Sequence, residues 1–287
     1  MPITFEKLTH IYNPDSPFPY AALQEINLSL KEGGFTAIIG ETGSGKSTLV
    51  QHLNALLLPT TGEVHVDEFR VIQNKKENKN LKMLRKKVGL VFQFPEYQLF
   101  EETIMKDVCF GPINFGMSEE AAQERTKEVL EIVGLDGSYL ERSPIDLSGG
   151  QKRRVAIAGI LAADPDVLVL DEPTAGLDPQ GAYDMMQLFK KLNEEYGKTI
   201  IMVTHDMEHV LNYCADVVIM KEGQVERECS VNEFFKDLKF LEAMHITPPN
   251  IIQTRMLLKE KGITIRGNIL TMEDLVKKIV KEVNQNG

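Results

Sequence analysis

The sequence predicts an α/β protein whose core is a parallel sheet covered by helices on both faces, with a helical insertion and a smaller appended segment. Three observations carry this. Short, nearly continuous apolar runs at Phe35-Thr36-Ala37-Ile38-Ile39, Val167-Leu168-Val169-Leu170 and Thr199-Ile200-Ile201-Met202-Val203 each stand beside a helical stretch. The first run breaks at Gly40 into a glycine-rich turn that leads into a helix. Between Phe94 and Leu161 the texture changes, and apolar residues recur at helical spacing.

Taken in order, Ile3, Phe5 and Leu8, then Leu23, Ile26, Leu28 and Leu30, mark two early strands separated by an exposed loop carrying Pro14, Pro17 and Pro19. The turn after Gly40 is followed by a helix from Ser47 to Leu58, and Val88 to Phe92 is strand-like. Ser118 caps a helix with Glu119 and Glu120 in its first turn and Ala122, Val129, Leu130 and Val133 along one face. Ser148, Gly149 and Gly150 open a helix toward Val155. Beyond about Ser230 the composition shifts, Pro248-Pro249 punctuates the chain, and a final amphipathic helix carries Leu275, Ile279, Val280 and Val283. That tail reads equally as a small appended core or as a docking or dimerisation surface.

Composition excludes several classes. With 42 acidic against 32 basic side chains, the net charge of −10 opposes broad contact with nucleic-acid phosphates or anionic lipid. The local basic run from Lys75 to Lys87 is diluted by Glu77 and asparagines and reads as a solvated segment. Cys109, Cys214 and Cys229 form neither an even set nor a close pair, which argues against a disulfide framework or a zinc knuckle and for a reducing cytosol. The stretch from Met1 to Glu6 lacks the order of a signal peptide, and no apolar run reaches the ~18 residues of a membrane span. If the protein serves a membrane, another chain is expected to cross it.

Gly40-Glu41-Thr42-Gly43-Ser44-Gly45-Lys46-Ser47 fits the phosphate-binding pattern G-x-x-x-x-G-K-[ST] between a strand and a helix, with Thr48 next in that helix. Its glycines let consecutive backbone N–H groups turn toward phosphate oxygens, and the helix start adds partial positive charge. Lys46 is expected to reach the β and γ phosphates, and Ser47 to offer a hydroxyl to magnesium. Asp171-Glu172 ends the apolar run at Leu170, at the carboxyl edge where open α/β sheets hold ligands. Asp171 is expected to hold the magnesium through its water shell, and Glu172 to orient or deprotonate the attacking water. Two acids after a strand could by themselves be a turn onto the surface, and the phosphate loop favours the catalytic reading.

Leu147-Ser148-Gly149-Gly150-Gln151 distinguishes among phosphate-loop proteins, and through it the sequence resembles the ATP-binding-cassette (ABC) ATPases, whose signature is this pentapeptide. Gln93 matches the family's Q-loop glutamine and a further magnesium contact, Ala175-Gly176-Leu177-Asp178 its D-loop, His205 its switch histidine, and Tyr12 the aromatic that stacks on adenine. The likeness spans about Met1 to Cys229. It implies a RecA-like P-loop NTPase core with an antiparallel β subdomain, an inserted α-helical subdomain and a small C-terminal α/β extension. The implied boundaries are 1–93 and 162–229 for the nucleotide-binding core, 94–161 for the signature subdomain and 230–287 for an extension expected to dimerise.

The family resemblance also implies a mechanism. One chain does not need two anion sites for one γ-phosphate, so Ser148, Gly149, Gly150 and Gln151 are expected to close, with Asp178, on ATP held by a second cassette. Phe94 to Thr103, followed by Asp107 to Pro112, resembles the cassettes of energy-coupling-factor importers, and Phe92-Gln93-Phe94-Pro95-Glu96 with Thr174 to Pro179 resembles the second ATPase of the vitamin group. That implies a similar but non-identical ATPase partner, a transmembrane coupling protein whose basic residues meet Glu96 and neighbouring acids, a substrate-capturing membrane subunit, and a site on the cytoplasmic face of the membrane. Alternatives are the ATPase of another importer, a non-membrane ABC ATPase acting on nucleic acid or ribosomes, and a phosphate-loop kinase or GTPase, for which Asn74-Lys75-Lys76-Glu77 is the nearest guanine-reading motif.

Overall fold

A computed structural model of the chain describes residues 3–262 and 274–280. Met1, where the N-terminal reading began, and Val283 of the final amphipathic helix lie outside the described residues.

Strands β1 (Ile3–Tyr12) and β2 (Tyr20–Leu30) pair antiparallel around the proline-rich loop. β3 (Phe35–Gly40) leads through the glycine-rich turn into α1 (Lys46–Gln51). β4 (Thr61–Val66) and β5 (Phe69–Val71) follow, then α2 (Leu81–Lys87) and β6 (Val88–Val91). The insertion holds α3 (Ile104–Asn114), α4 (Glu119–Ile132) and α5 (Gly149–Leu161). β7 (Val167–Asp171), α6 (Pro179–Glu194), β8 (Thr199–Val203), α7 (Met207–Tyr213), β9 (Asp216–Lys221) and β10 (Gln224–Ser230) return the chain to the core. Beyond them lie α8 (Val231–Phe234), α9 (Leu238–Ala243), α10 (Asn250–Glu260) and a helical segment at 274–280.

Among the described residues two sheets form. One is antiparallel, in the order β2-β1-β4-β5; the other runs β10-β9-β3-β8-β7-β6, parallel except at its β10 edge. Alternation along the parallel strands sorts their buried side chains onto two faces. Ile38, Val167, Val169, Ile201 and Val203 join the antiparallel sheet and α1 in one core. Phe35, Leu168, Leu170, Ile200 and Met202 meet the insertion helices and α6 in a second. Ala37, Ile39, Val217 and Ile219 pack with α7 and the C-terminal helices in a third, which includes Leu275 and, partly buried, Ile279, whereas Val280 faces solvent. Among the described residues the segment after β10 is helical.

The helix expected from Ser47 to Leu58 ends instead at Gln51. The cause is His52. Its Nδ1 donates to the Thr48 carbonyl at 2.7 Å, the oxygen that its own backbone N–H would claim in a continuing helix, and that N–H turns to Leu49 O. Ala55, at φ 53°, then completes the exit. Because a carbonyl only accepts, His52 Nε2 carries the lone pair, and it faces His10 Nδ1 at 3.2 Å, whose N–H is shared with the Leu58 carbonyl at 3.1 Å. Burial holds the His52 imidazole down at about 4, against an ordinary 6.5.

A proton is therefore taken up by the unfolded chain, and refused by the folded one, between about pH 6.5 and pH 4. Stability falls as pH drops through that window, by about 3 kcal/mol in total. His52→Gln is expected to flatten this part of the profile relative to the unsubstituted chain, as read from denaturant midpoints at pH 7, 6, 5 and 4.

Candidate active site

β3, β7 and β8 are adjacent and parallel, so their carboxyl ends stop together, and the motif residues collect at that edge. Gly40 sits at φ 146°, where an added Cβ would lie 2.1 Å from the Met220 carbonyl of the neighbouring β9. Gly45, at φ 97°, would meet the Ala22 carbonyl at 2.5 Å. At these two positions only hydrogen fits, so the loop from Gly40 to Lys46 passes between β9 and β2. Glu41, Thr42 and Gly43 remain exposed at its rim. The Ser44 hydroxyl is buried and, among the described residues, has no hydrogen-bond partner.

Lys46 Nζ folds over the loop, donating to Gly40 O at 2.8 Å and Glu41 O at 2.7 Å. Its burial pulls the ammonium's pKa down, opposed by the charges of Glu172 and Asp171. Burial likewise pushes the Asp171 carboxyl up, opposed by a hydrogen bond with Ser47 and by Lys46. Ser47 and Asp171 thus form an all-oxygen donor pair beside one cation, a set suited to a hard divalent ion.

Glu172 follows immediately, with φ 49°, a left-handed conformation that costs a non-glycine residue on the order of 1–3 kcal/mol. Two backbone bonds hold it there, Glu172 N to Val203 O at 2.9 Å and Ala175 N to Glu172 O at 3.1 Å. His205 Nδ1 donates to Glu172 Oε1 at 2.8 Å from an otherwise exposed imidazole. Gln93, two residues past Val91, is exposed at the neighbouring strand end, since Val91 pairs with Leu170.

Tyr12 OH lies 3.2 Å from Thr48 Oγ1, joining the end of β1 to α1, and its ring packs edge-on against His10. Ser148 caps α5 in a reciprocal box with Gln151, whose amide also donates to Tyr139 OH. Ser148 and Gly149 are exposed, and among the described residues no hydrogen bond or ion pair joins the Ser148–Gln151 turn to the Gly40–Thr48 loop of the same chain. Asp178 is exposed and caps α6, accepting from Gly181 N at 2.9 Å.

The structure therefore gathers Tyr12, the 40–48 loop, Asp171, Glu172, His205 and Gln93 around one sheet edge, and leaves Ser148, Gly149, Gly150, Gln151 and Asp178 outside it. Glu96, expected to meet a partner's basic residues, is instead gripped through both oxygens by Arg153 of its own chain at 2.9 and 3.0 Å. Sequence reasoning missed that arginine, because within Lys152-Arg153-Arg154 it looks like one charge of a solvated run. It also missed Tyr20, whose hydroxyl donates to Gly43 O at 3.2 Å.

A strand, phosphate loop and helix, a strand ending in two acids, a histidine on the second of them, and an LSGGQ helix cap on an inserted subdomain define the ATP-binding-cassette ATPases. The ABC transporter family profile matches residues 23–175. Energy-coupling factor transporter ATP-binding proteins named EcfA2 are 54% identical over 284 residues in Spiroplasma kunkelii (99% of this chain, 93% of the relative). Those of Bacillus anthracis are 51% identical over 288 residues (100% and 98%), and those of Enterococcus faecalis 49% identical over 287 residues (100% and 99%). Among solved structures, cbiO1 from Clostridium perfringens, part of the ABC transporter complex cbiONQ, superposes with a TM-score of 0.72 at 37% identity over 88% of this chain and 97% of that one. A dimeric ATP-binding cassette in a post-hydrolysis state with ADP and Pi superposes with a TM-score of 0.70 at 36% identity, covering 80% and 98%.

The chain belongs to the ABC transporter family and, within it, to the energy-coupling factor transporter ATP-binding proteins. It binds and hydrolyses ATP.

Gly40→Ala is expected to destabilise the fold by about 3 kcal/mol, because the methyl must displace β9 backbone at a strained φ. Thermal unfolding measures this, and loss of ATP binding should accompany it.

Proposed function

We propose that this chain is one of two cassettes that power an energy-coupling-factor importer of vitamins or related micronutrients, working peripherally on the cytoplasmic face of the membrane. The observation that carries the reading is the split of the motifs: one sheet edge gathers the 40–48 loop, Asp171, Glu172 and His205, while the signature turn stands exposed and unjoined to it. A second cassette, similar but non-identical, supplies the missing half to each nucleotide, its counterpart of Ser148 to Gln151 and of Asp178 closing on the ATP gripped here. The core comprises 1–93 and 162–229, the signature subdomain 94–161, and the extension 230–287 contributes to pairing.

In this mechanism Lys46 leaves the Gly40 and Glu41 carbonyls to meet the β and γ phosphates, while backbone N–H groups from Gly43 to Thr48 turn toward the remaining oxygens. Tyr12 stacks on the adenine. Ser47, Asp171 and Gln93 would hold magnesium, which would there draw charge from the γ-phosphate. Glu172 takes the proton of the attacking water, and His205, already bonded to its carboxylate, orients that carboxylate and follows the state of the γ-phosphate. Binding draws the cassettes together and hydrolysis releases them, so that the motion does the transport work.

No helix among the described residues is long and apolar enough to cross a membrane. A transmembrane coupling protein and a substrate-capturing subunit complete the machine. The segment after Gln93 supports such docking, since Phe94, Tyr97, Phe100 and Phe110 are exposed around it, the last two in edge-to-face contact at 5.0 Å.

Glu172→Gln is expected to retain ATP binding while lowering kcat at least about a thousandfold, trapping the paired cassettes. Lys46→Ala should instead lose ATP affinity. Both are read by steady-state hydrolysis and nucleotide binding in the assembled complex; normal turnover by Glu172→Gln removes that residue as the base.

A further inference from the structure

Arg153 is 2% exposed, yet it lies only five positions into α5, the helix capped by Ser148. Four hydrogen bonds account for its burial. Nε and Nη2 donate to the two oxygens of Glu96 at 3.0 and 2.9 Å, in the short turn that follows Gln93. Nη1 donates to Pro173 O at 3.2 Å and Ala175 O at 2.8 Å. The guanidinium carbon lies over the Phe94 ring, 5.8 Å from its centroid. Burial alone would raise the Glu96 carboxyl, but Arg153 reverses this and holds it below the ordinary carboxylate range. The pair is therefore ionised, and a guanidinium fixed at one end by a bidentate carboxylate presents its other edge in a set direction.

That edge grips the turn carrying Glu172. Ala175 is bonded twice, its N–H to Glu172 O and its carbonyl to Arg153, so the strained backbone of Glu172 is closed on one side by its own turn and on the other by α5. We propose that Arg153 is a positioning residue for hydrolysis, which holds the 172–175 turn in register and links it to the segment after Gln93 and to the signature helix. A movement of either reaches the water-activating carboxylate through one side chain, without any contact between the signature and the nucleotide of its own chain. This inference rests on the reading of Glu172 as the base.

The test is steady-state hydrolysis and ATP binding by the full chain in its assembled complex. Arg153→Lys keeps a cation opposite Glu96 but cannot span four acceptors. Its kcat is expected to fall about ten- to a hundredfold, with KM for ATP within about threefold of the unsubstituted value. Glu96→Gln with Arg153→Met leaves no unpaired buried charge to threaten folding, and it should show the same split between kcat and KM. Unchanged kcat in both variants overturns the proposal, and so does a loss of ATP affinity that matches the loss of rate. Turnover by Glu172→Gln would remove the base assignment itself, whereas an inactive Glu172→Gln beside fully active Arg153 variants would remove only the role of Arg153.

Discussion

The architecture depends on meeting concentrated phosphate charge at the place where buried parallel strands stop. A polyanion cannot be met there by a crowd of lysines without burying mutually repelling ammonium groups. In the proposed mechanism the chain meets it with backbone N–H groups from a single glycine-rich turn and one cation, Lys46. That solution works only if the turn passes tightly between its neighbours, which is why the Met220 carbonyl stands where a Cβ of residue 40 would be and the Ala22 carbonyl where one of residue 45 would be. The parallel sheet supplies the geometry: Gly40, Asp171 and Val203 end adjacent strands, so the Lys46-Ser47 pair, the Asp171-Glu172 pair and His205 are brought to one edge from distant parts of the chain.

Much of this was legible in the sequence because it is written in local patterns. Apolar runs such as Val167 to Leu170 become fully buried strands, and their alternation also decides which residues face the insertion and which the antiparallel sheet. The Ser118 and Ser148 caps lie where a small hydroxyl residue precedes a helix. The motif residues could be read one by one, since each motif fixes residue type and spacing together.

What escaped the sequence depends on three-dimensional partnership. His52 looked like an interior helical residue, but its ring competes with its own backbone for the Thr48 carbonyl and wins. Glu96 looked like an acid awaiting a partner, because nothing in the 57 positions between it and Arg153 announces that the two meet. Tyr20 reaches Gly43 only because β2 folds back beside β1. The extent of the C-terminal contact with α7 was equally hidden, down to the Asn250 N–H that bonds Glu208 at 2.7 Å.

The row of aromatic rings around residues 94–110 bears on how the chain behaves on its way to assembly. Rings facing water form an adhesive strip, and two copies meeting strip to strip would bury it in the wrong company. The net charge of −10 works against such encounters, giving a long-range repulsion that weakens as salt shortens the screening length. The colloidal behaviour of the lone polypeptide should thus be set by a contest between a local stickiness and a global charge, with dilute electrolyte favouring dispersal and concentrated electrolyte favouring clustering.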